Sequence, residues 1–177
     1  YEAVVLLIND ADPGVLSTIA NAISDKSIPL ENGKISYSNA FLGALTASKE
    51  KVKIPADMEA LIDINKAISF INNTPAPKTE TEWNHPIDWK YAVTIPEDVK
   101  VSISTTKGTF IITMTVNEAP GSVASILKLV ESGYYNGKYF HRMVPDFVVQ
   151  GGCPRGDGFG GQDYTIRSEF SSLKYTQ

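Results

Sequence analysis

Apolar positions recur at helical spacing through the first part of the chain and alternate with polar ones through the last. Asp12 is suited to cap a helix with Pro13 at its first position, and Val15, Ile19, Ala22 and Ile23 then mark one stripe to about Asp25. A second stripe follows Ser36, on Tyr37, Phe41, Ala44, Leu45 and Ser48. A third starts near Pro55, with Asp57 and Glu59 where the helix dipole favours acids, and carries Met58, Leu61, Ile62, Asn65, Ile68 and Ile71. Asn72 and Asn73 end it, and Thr74-Pro75-Ala76-Pro77 opens a polar stretch. From about residue 90 the period changes to two. Val99, Val101 and Ile103 alternate with polar residues, and so do Phe110, Ile112, Met114 and Val116 beyond the hairpin signal Thr106-Lys107-Gly108. One helix interrupts, opened by Pro120, with Val123, Ile126, Leu127 and Val130 inward and Gly133 at its left-handed end. Strands over 139–143 and 147–150 flank a turn at Pro145-Asp146, and Tyr164-Thr165-Ile166-Arg167 has the texture of another strand.

The pattern predicts a multi-domain chain, α then β: a helical segment over 1–72, a linker over 73–90 and an antiparallel β segment with one helix over 91–177. The helical pairs resemble the end of a HEAT-type solenoid, in which each repeat buries its face on a neighbour; an irregular helical extension packed on the second domain fits the residues equally. The 177 residues are 42% hydrophobic and 20% charged, with a net charge of −4. That balance is globular and lacks the basic surface that nucleic acid requires, so no nucleic-acid partner is expected. The longest apolar run, Ala3 to Ile8, falls far short of the ~20 residues of a membrane span. One cysteine and two histidines exclude an intrachain disulfide and make a metal site improbable, and no metal or other cofactor is expected.

Candidate chemistry concentrates at the end of the chain. Arg142, Arg155 and Arg167 all lie there, beside a dense run of glycines. Gly156-Asp157-Gly158-Phe159-Gly160-Gly161 matches the dinucleotide fingerprint in letters only, because Pro154 precedes it and no helix pattern follows; it reads as a loop at the end of a barrel. Ser125–Lys128 and Ser171–Lys174 match a Ser-x-x-Lys spacing without the other parts of a serine site. Cys153 reads as a small filler residue near a loop rather than a nucleophile. In the segment Tyr139 to Gly152, strand alternation puts Phe140 and Arg142 on one face, His141 and Met143 on the other, and Val148 with Gln150 on the second strand. A guanidinium and an amide thus meet on adjacent strands, an array of donors for carbonyl groups; an arginine snorkelling to the rim of a barrel is the structural alternative.

These motifs resemble the cyclophilin family of peptidyl-prolyl cis-trans isomerases. The resemblance begins at about Val99 and rests on Asn117-Glu118-Ala119-Pro120, Gly133-Tyr134-Tyr135-Asn136-Gly137, Tyr139-Phe140-His141-Arg142, Phe147-Val148-Val149-Gln150-Gly151-Gly152 and the glycine-rich run after it. It implies an antiparallel β-barrel capped by helices, present here only in part, since the family's later pocket segments do not occur before Gln177. It implies that Arg142 is the catalytic arginine, that Phe147 packs on the substrate proline and that Gln150 holds a substrate backbone group. His141 and Val148 would form the pocket rim, with Val148 where the family most often has Met. It implies isomerase activity on proline-containing peptides or proteins, assisting their folding. The linker style resembles bacterial proteins that join HEAT-like repeats to such a domain, so a soluble protein of a bacterial cytoplasm or periplasm is expected, with the compartment left open. A non-catalytic peptide-binding scaffold, with this chain inactive, is the competing expectation. An open half-barrel would also expose strand edges for self-association.

Overall fold

The computed structural model describes residues 2–25, 38–80 and 82–171. The element order is α1 (Glu2–Asp10), α2 (Pro13–Ser24), α3 (Asn39–Ser48), α4 (Met58–Asn72), α5 (Trp89–Ala92), β1 (Lys100–Thr105), β2 (Gly108–Thr113), α6 (Pro120–Glu131), β3 (Phe140–Val144) and β4 (Val148–Gly151). Helices and antiparallel strands therefore appear in the predicted order. Ser36 and Tyr37, and most of the Ser171–Lys174 motif, lie outside the described residues. The chain divides into two compact units: Tyr1–Thr81 with Lys138–Asp163, and Glu82–Gly137 with Tyr164–Gln177.

In the first unit, α2 lies against α4 and α1 against α3. Ile8, Leu16, Ala20, Ile23, Phe41, Leu45, Ile64 and Ala67 form the core. The helix α1 precedes the three that the spacing predicts, and it contributes Ile8. Two predicted stripes are rotated. In α2 the buried positions are Leu16, Ser17, Ala20 and Ile23, and Ala22 is exposed. In α4 they are Ala60, Ile64, Asn65, Ala67 and Ser69, with Leu61, Ile62 and Ile68 only partly covered. The reason is that small residues, which carry little weight in a hydrophobic pattern, sit at the tight α2–α4 contact. Ser17 donates across that contact to Asp63, which also accepts from the Asn21 amide at 2.9 Å. Beyond α4, Asn73 takes the left-handed conformation, and Asn65 and Ser69 bond Thr79 and Pro75 at 3.4 Å each, holding the extended segment to the helix.

In the second unit β1 and β2 form an antiparallel hairpin, with Val101 opposite Ile112 and Ile103 opposite Phe110. Val116, Val123 and Leu127 are its core, with Tyr91, Ile95, Val99, Val101 and Met114 packed against them. Ile126 and Val130, expected inward, are 37% exposed. The strand β2 is exposed along its whole length, with Ile111 at 64%. The C-terminal end of α6 has the cap its sequence predicts. Gly133 has φ +72, its N–H donates to the Val130 carbonyl at 2.9 Å, and the Tyr134 N–H donates to the Leu129 carbonyl at 2.9 Å.

The other end of α6 is capped from far along the chain. Ala119 precedes Pro120 and offers no side-chain acceptor. Glu169 fills the place: its carboxylate accepts from the Gly121 N–H at 2.9 Å, the Ser122 N–H at 2.7 Å and the Ser122 hydroxyl at 2.8 Å. A Cβ on Gly121 would lie 2.7 Å from Ile87 Cγ1 and 3.1 Å from the Glu169 carboxylate, so only glycine admits both neighbours. Residues 82–88, within the predicted linker, also bond inside this unit. The His85 N–H donates to the Thr165 carbonyl at 3.2 Å, the Thr165 N–H donates to the Asn84 side chain at 2.7 Å, and Lys128 Nζ pairs with Asp88 at 2.7 Å. Tyr164–Arg167 is not a strand: its partners are this segment rather than a sheet. Among the described residues the strands form two separate two-stranded sheets, β1–β2 and β3–β4, and not one continuous barrel wall. No helix among them is long and apolar enough to cross a membrane.

Partial burial works to raise the Glu169 pKa, but the bonds from Gly121 and Ser122 outweigh it and hold the carboxyl below its ordinary value. A depressed folded-state pKa gives stability above the unfolded pKa that is lost as pH falls through the folded one. Glu169→Ala should therefore destabilise the second unit by ~1–2 kcal/mol at neutral pH, the worth of a helix cap. In urea titrations the difference from wild type should shrink on acidification below the carboxylate range. A deficit that does not change with pH would separate Glu169 from the cap.

Candidate functional site

The five residues singled out in the sequence lie on β3, β4 and the turn between them. Arg142 pairs in register with Gln150, Met143 with Val149, and Val144 with Val148. The turn closes with Asp146 at φ +59 and the Phe147 N–H donating to the Val144 carbonyl at 3.2 Å. Asp146 tolerates that conformation because a short polar side chain costs little there. The expected meeting of guanidinium and amide is present: Arg142 Nη1 donates to Gln150 Oε1 at 2.8 Å. Both side chains are exposed. Phe147 is 78% exposed at the turn, and Val148 is half-buried beside it.

His141 departs from simple alternation. Phe140 pairs with Gly151 while Arg142 pairs with Gln150, so two steps on β3 oppose one on β4 and His141 is the extra residue of a bulge. Phe140 therefore does not share the Arg142–Gln150 face, as unbroken alternation predicts. Its ring lies over Gly151, where a Cβ would come within 2.7 Å of Phe140 Cδ1 and 3.2 Å of the Tyr139 carbonyl. The His141 imidazole points instead toward the glycine-rich loop. Its Nδ1 is buried with no partner among the described residues, and a Cβ on Gly158 would meet its Nε2 at 3.3 Å.

The glycine-rich run is a loop with φ +75, +91 and +108 at Gly156, Gly158 and Gly160. It has neither the preceding strand–turn nor the following helix of a dinucleotide site. Cys153 is 8% exposed and faces the Phe159 carbonyl at 3.4 Å, a structural thiol as its sequence context suggests. Ser125 Oγ lies 3.2 Å from the Tyr164 hydroxyl while Lys128 is engaged by Asp88, so the Ser-x-x-Lys spacing does not assemble a nucleophile.

Sequence reasoning missed one cluster. Arg155 donates from Nη2 to both Asp12 carboxylate oxygens, at 3.1 and 2.9 Å, and to Asp157 Oδ2 at 2.8 Å, with Nε also on Asp157 at 2.9 Å. The Val15 N–H, with Arg155 beside it, lowers the Asp12 pKa against some desolvation; Arg155 and then the Phe159 N–H do the same for Asp157. The Arg155 guanidinium is in turn held more firmly protonated. Asp12 and Arg155 are 143 positions apart, so no local spacing announces the pair.

Residues 99–176 match the family model described as cyclophilin type peptidyl-prolyl cis-trans isomerase/CLD. The matched span includes β1, β2, α6 and the whole Arg142–Gln150 hairpin. A peptidyl-prolyl cis-trans isomerase of Synechococcus elongatus is 45% identical over 69 residues, covering 39% of this chain and 48% of that protein. Peptidyl-prolyl cis-trans isomerase B of Bacillus subtilis is 52% identical over 58 residues, 33% of this chain and 41% of its own. A Helicobacter pylori peptidyl-prolyl cis-trans isomerase is 41% identical over 68 residues, 38% and 42% respectively. The chain thus spans less than half the length of these curated relatives. No solved structure matches it.

The close approach of Phe140 to Gly151 makes the hairpin sensitive at that point. Gly151→Ala should weaken β3–β4 by ~1–3 kcal/mol, because the ring or the backbone must move to admit one methyl. Amide exchange within 140–151 would rise while β1–β2 is unaffected. Wild-type protection throughout that span in the variant would show that the ring yields without cost.

Proposed function

We propose that the cyclophilin-like segment of this chain contributes to a peptidyl-prolyl cis-trans isomerase site in which Arg142, Phe147 and Gln150 act on the substrate and His141 and Val148 shape the pocket rim. The observation that carries the reading is the exposed Arg142–Gln150 pair beside an exposed Phe147, in a span that matches the family model. Rotation about a peptide bond is resisted by amide resonance, with a barrier of ~18–20 kcal/mol. For an Xaa-Pro bond the isomers differ by only ~0.5–1 kcal/mol, so the task is to lower the barrier rather than move the equilibrium.

A guanidinium donating to the proline nitrogen favours the pyramidal nitrogen of the twisted state, in which conjugation is lost. Its contribution is greater in the transition state than in either planar isomer, and so accelerates the step. Arginine suits this role because it stays protonated and its donors are rigidly arrayed. Gln150 fixes the direction of that array through Arg142 Nη1 and keeps its own amide N–H groups for a substrate carbonyl. Phe147 offers an aromatic face to the proline ring. The reaction forms and breaks no covalent bond, so it needs no nucleophile, metal or other cofactor.

The proposed substrates are proline-containing peptides or protein segments. The helical segment is read as a HEAT-like scaffold, supported by the side-by-side packing of α1 with α3 and α2 with α4. The β segment is read as part of a barrel wall, since β2 is exposed throughout and Val149 and Met143 are exposed beside the site. The same apolar exposure is suited to strand pairing with a second copy, and it supports a peptide-binding module without turnover as the second reading.

Turnover of an Xaa-Pro tetrapeptide decides between the two. Arg142→Ala should slow isomerisation at least tenfold, ~1.4 kcal/mol in barrier. The unfolding midpoint should stay close to wild type, because the side chain is exposed. Undiminished turnover in the variant would take Arg142 out of the mechanism. Peptide binding with no turnover in the wild type would favour the module.

A further inference from the structure

The clamp on Arg155 ties the candidate site to the start of α2. Asp12 caps α2 by accepting from the Gly14 and Val15 N–H groups at 2.9 and 3.1 Å, and the same carboxylate receives Arg155. Asp157, on the other side of the guanidinium, accepts the Phe159 N–H at 2.8 Å. Phe159 then rests on the first turn of α2: a Cβ on Gly14 would be 3.1 Å from its Cδ2. The Arg155 stem lies over Gly160, where a Cβ would sit 3.2 Å from Cδ.

Three glycines with positive φ give this loop many alternative conformations when it is not held, so its order depends on those side-chain bonds. Held in this way, the loop backs onto β3. Gly156 lies against the Tyr139 ring and Gly158 against the imidazole of His141, the bulge residue immediately before Arg142.

We propose that Arg155 is a positioning residue for the candidate isomerase site, joining the helical segment through Asp12 to the loop that backs His141 and so fixing the direction of Arg142. Arg155 touches none of the residues placed on the substrate; it acts through the loop and the bulge. The inference rests on the isomerase reading for its catalytic consequence, but the coupling itself has a readout that does not require turnover.

The experiment compares Arg155→Ala, Arg155→Lys and Asp12→Asn with wild type by tetrapeptide isomerisation and by amide hydrogen exchange. Asp12→Asn is the informative partner, since asparagine still caps α2 while the ion pair is lost. Arg155→Ala should lower kcat about tenfold with KM little changed, as expected for a displaced catalytic group. Asp12→Asn should lower kcat less, and Arg155→Lys should recover part of the loss. Exchange should rise at 140–151 and stay at the wild-type level at 100–113. Wild-type kcat in Arg155→Ala, or unchanged exchange at 140–151 in all three variants, would overturn the proposal. If the wild type itself shows no turnover, the isomerase reading falls, and the exchange result alone decides whether the clamp holds the hairpin. Should Arg155→Ala fail to fold, the two milder variants carry the same comparison.

Discussion

Backbone N–H groups at the start of a helix have no partner within it, and among the described residues the carboxylates of Asp12, Asp88 and Glu169 meet that need. Asp12 caps α2 locally and receives Arg155 from far along the sequence. Glu169 caps α6 from outside, because Ala119 cannot. In each unit the polar demand of a helix start becomes the attachment point for a late, irregular segment: the glycine-rich loop in one, residues 164–171 in the other. Neither segment has a regular ladder of its own, so each takes its path from such bonds, together with those of Thr165 to Glu82, Asn84 and His85 in the second.

The candidate site depends on such attachments more than on a sheet. A two-stranded ribbon is marginal by itself in water. The β3–β4 hairpin gains support from the loop that follows it, through Tyr139 and His141. The bulge separates two tasks along five residues: Phe140 packs on Gly151, while Arg142 is turned outward to Gln150. Without the extra residue, both side chains would compete for one face.

Local chemistry was legible in the sequence where it was self-contained. Asp12 with Pro13, Pro120 with Gly133, and Thr106-Lys107-Gly108 each carry their own geometric cause, and the elements follow them. Arg142 and Gln150 could be placed together because hairpin register is a short-range property. The rotated faces of α2 and α4 were not legible, since Ala20, Ala60 and Ala67 are buried by the closeness of the helices rather than by their own hydrophobicity. The strand texture of Tyr164–Arg167 misled for a related reason: its partners are Glu82 and Asn84, more than eighty positions away. The same distance problem hid Arg155 and Glu169, whose functions depend on residues the chain reaches only by folding.

The long reach of Glu169 also bears on the order of events during synthesis. The contacts among α1 to α4 join segments close together in sequence, so that bundle can gather before the residues that follow it are made. The helix α6 cannot complete its first turn until some fifty further residues have emerged. In that interval the exposed strand β2 and an uncapped helix coexist on an unfinished chain. Capping of α6 can therefore come only late in the making of the second unit.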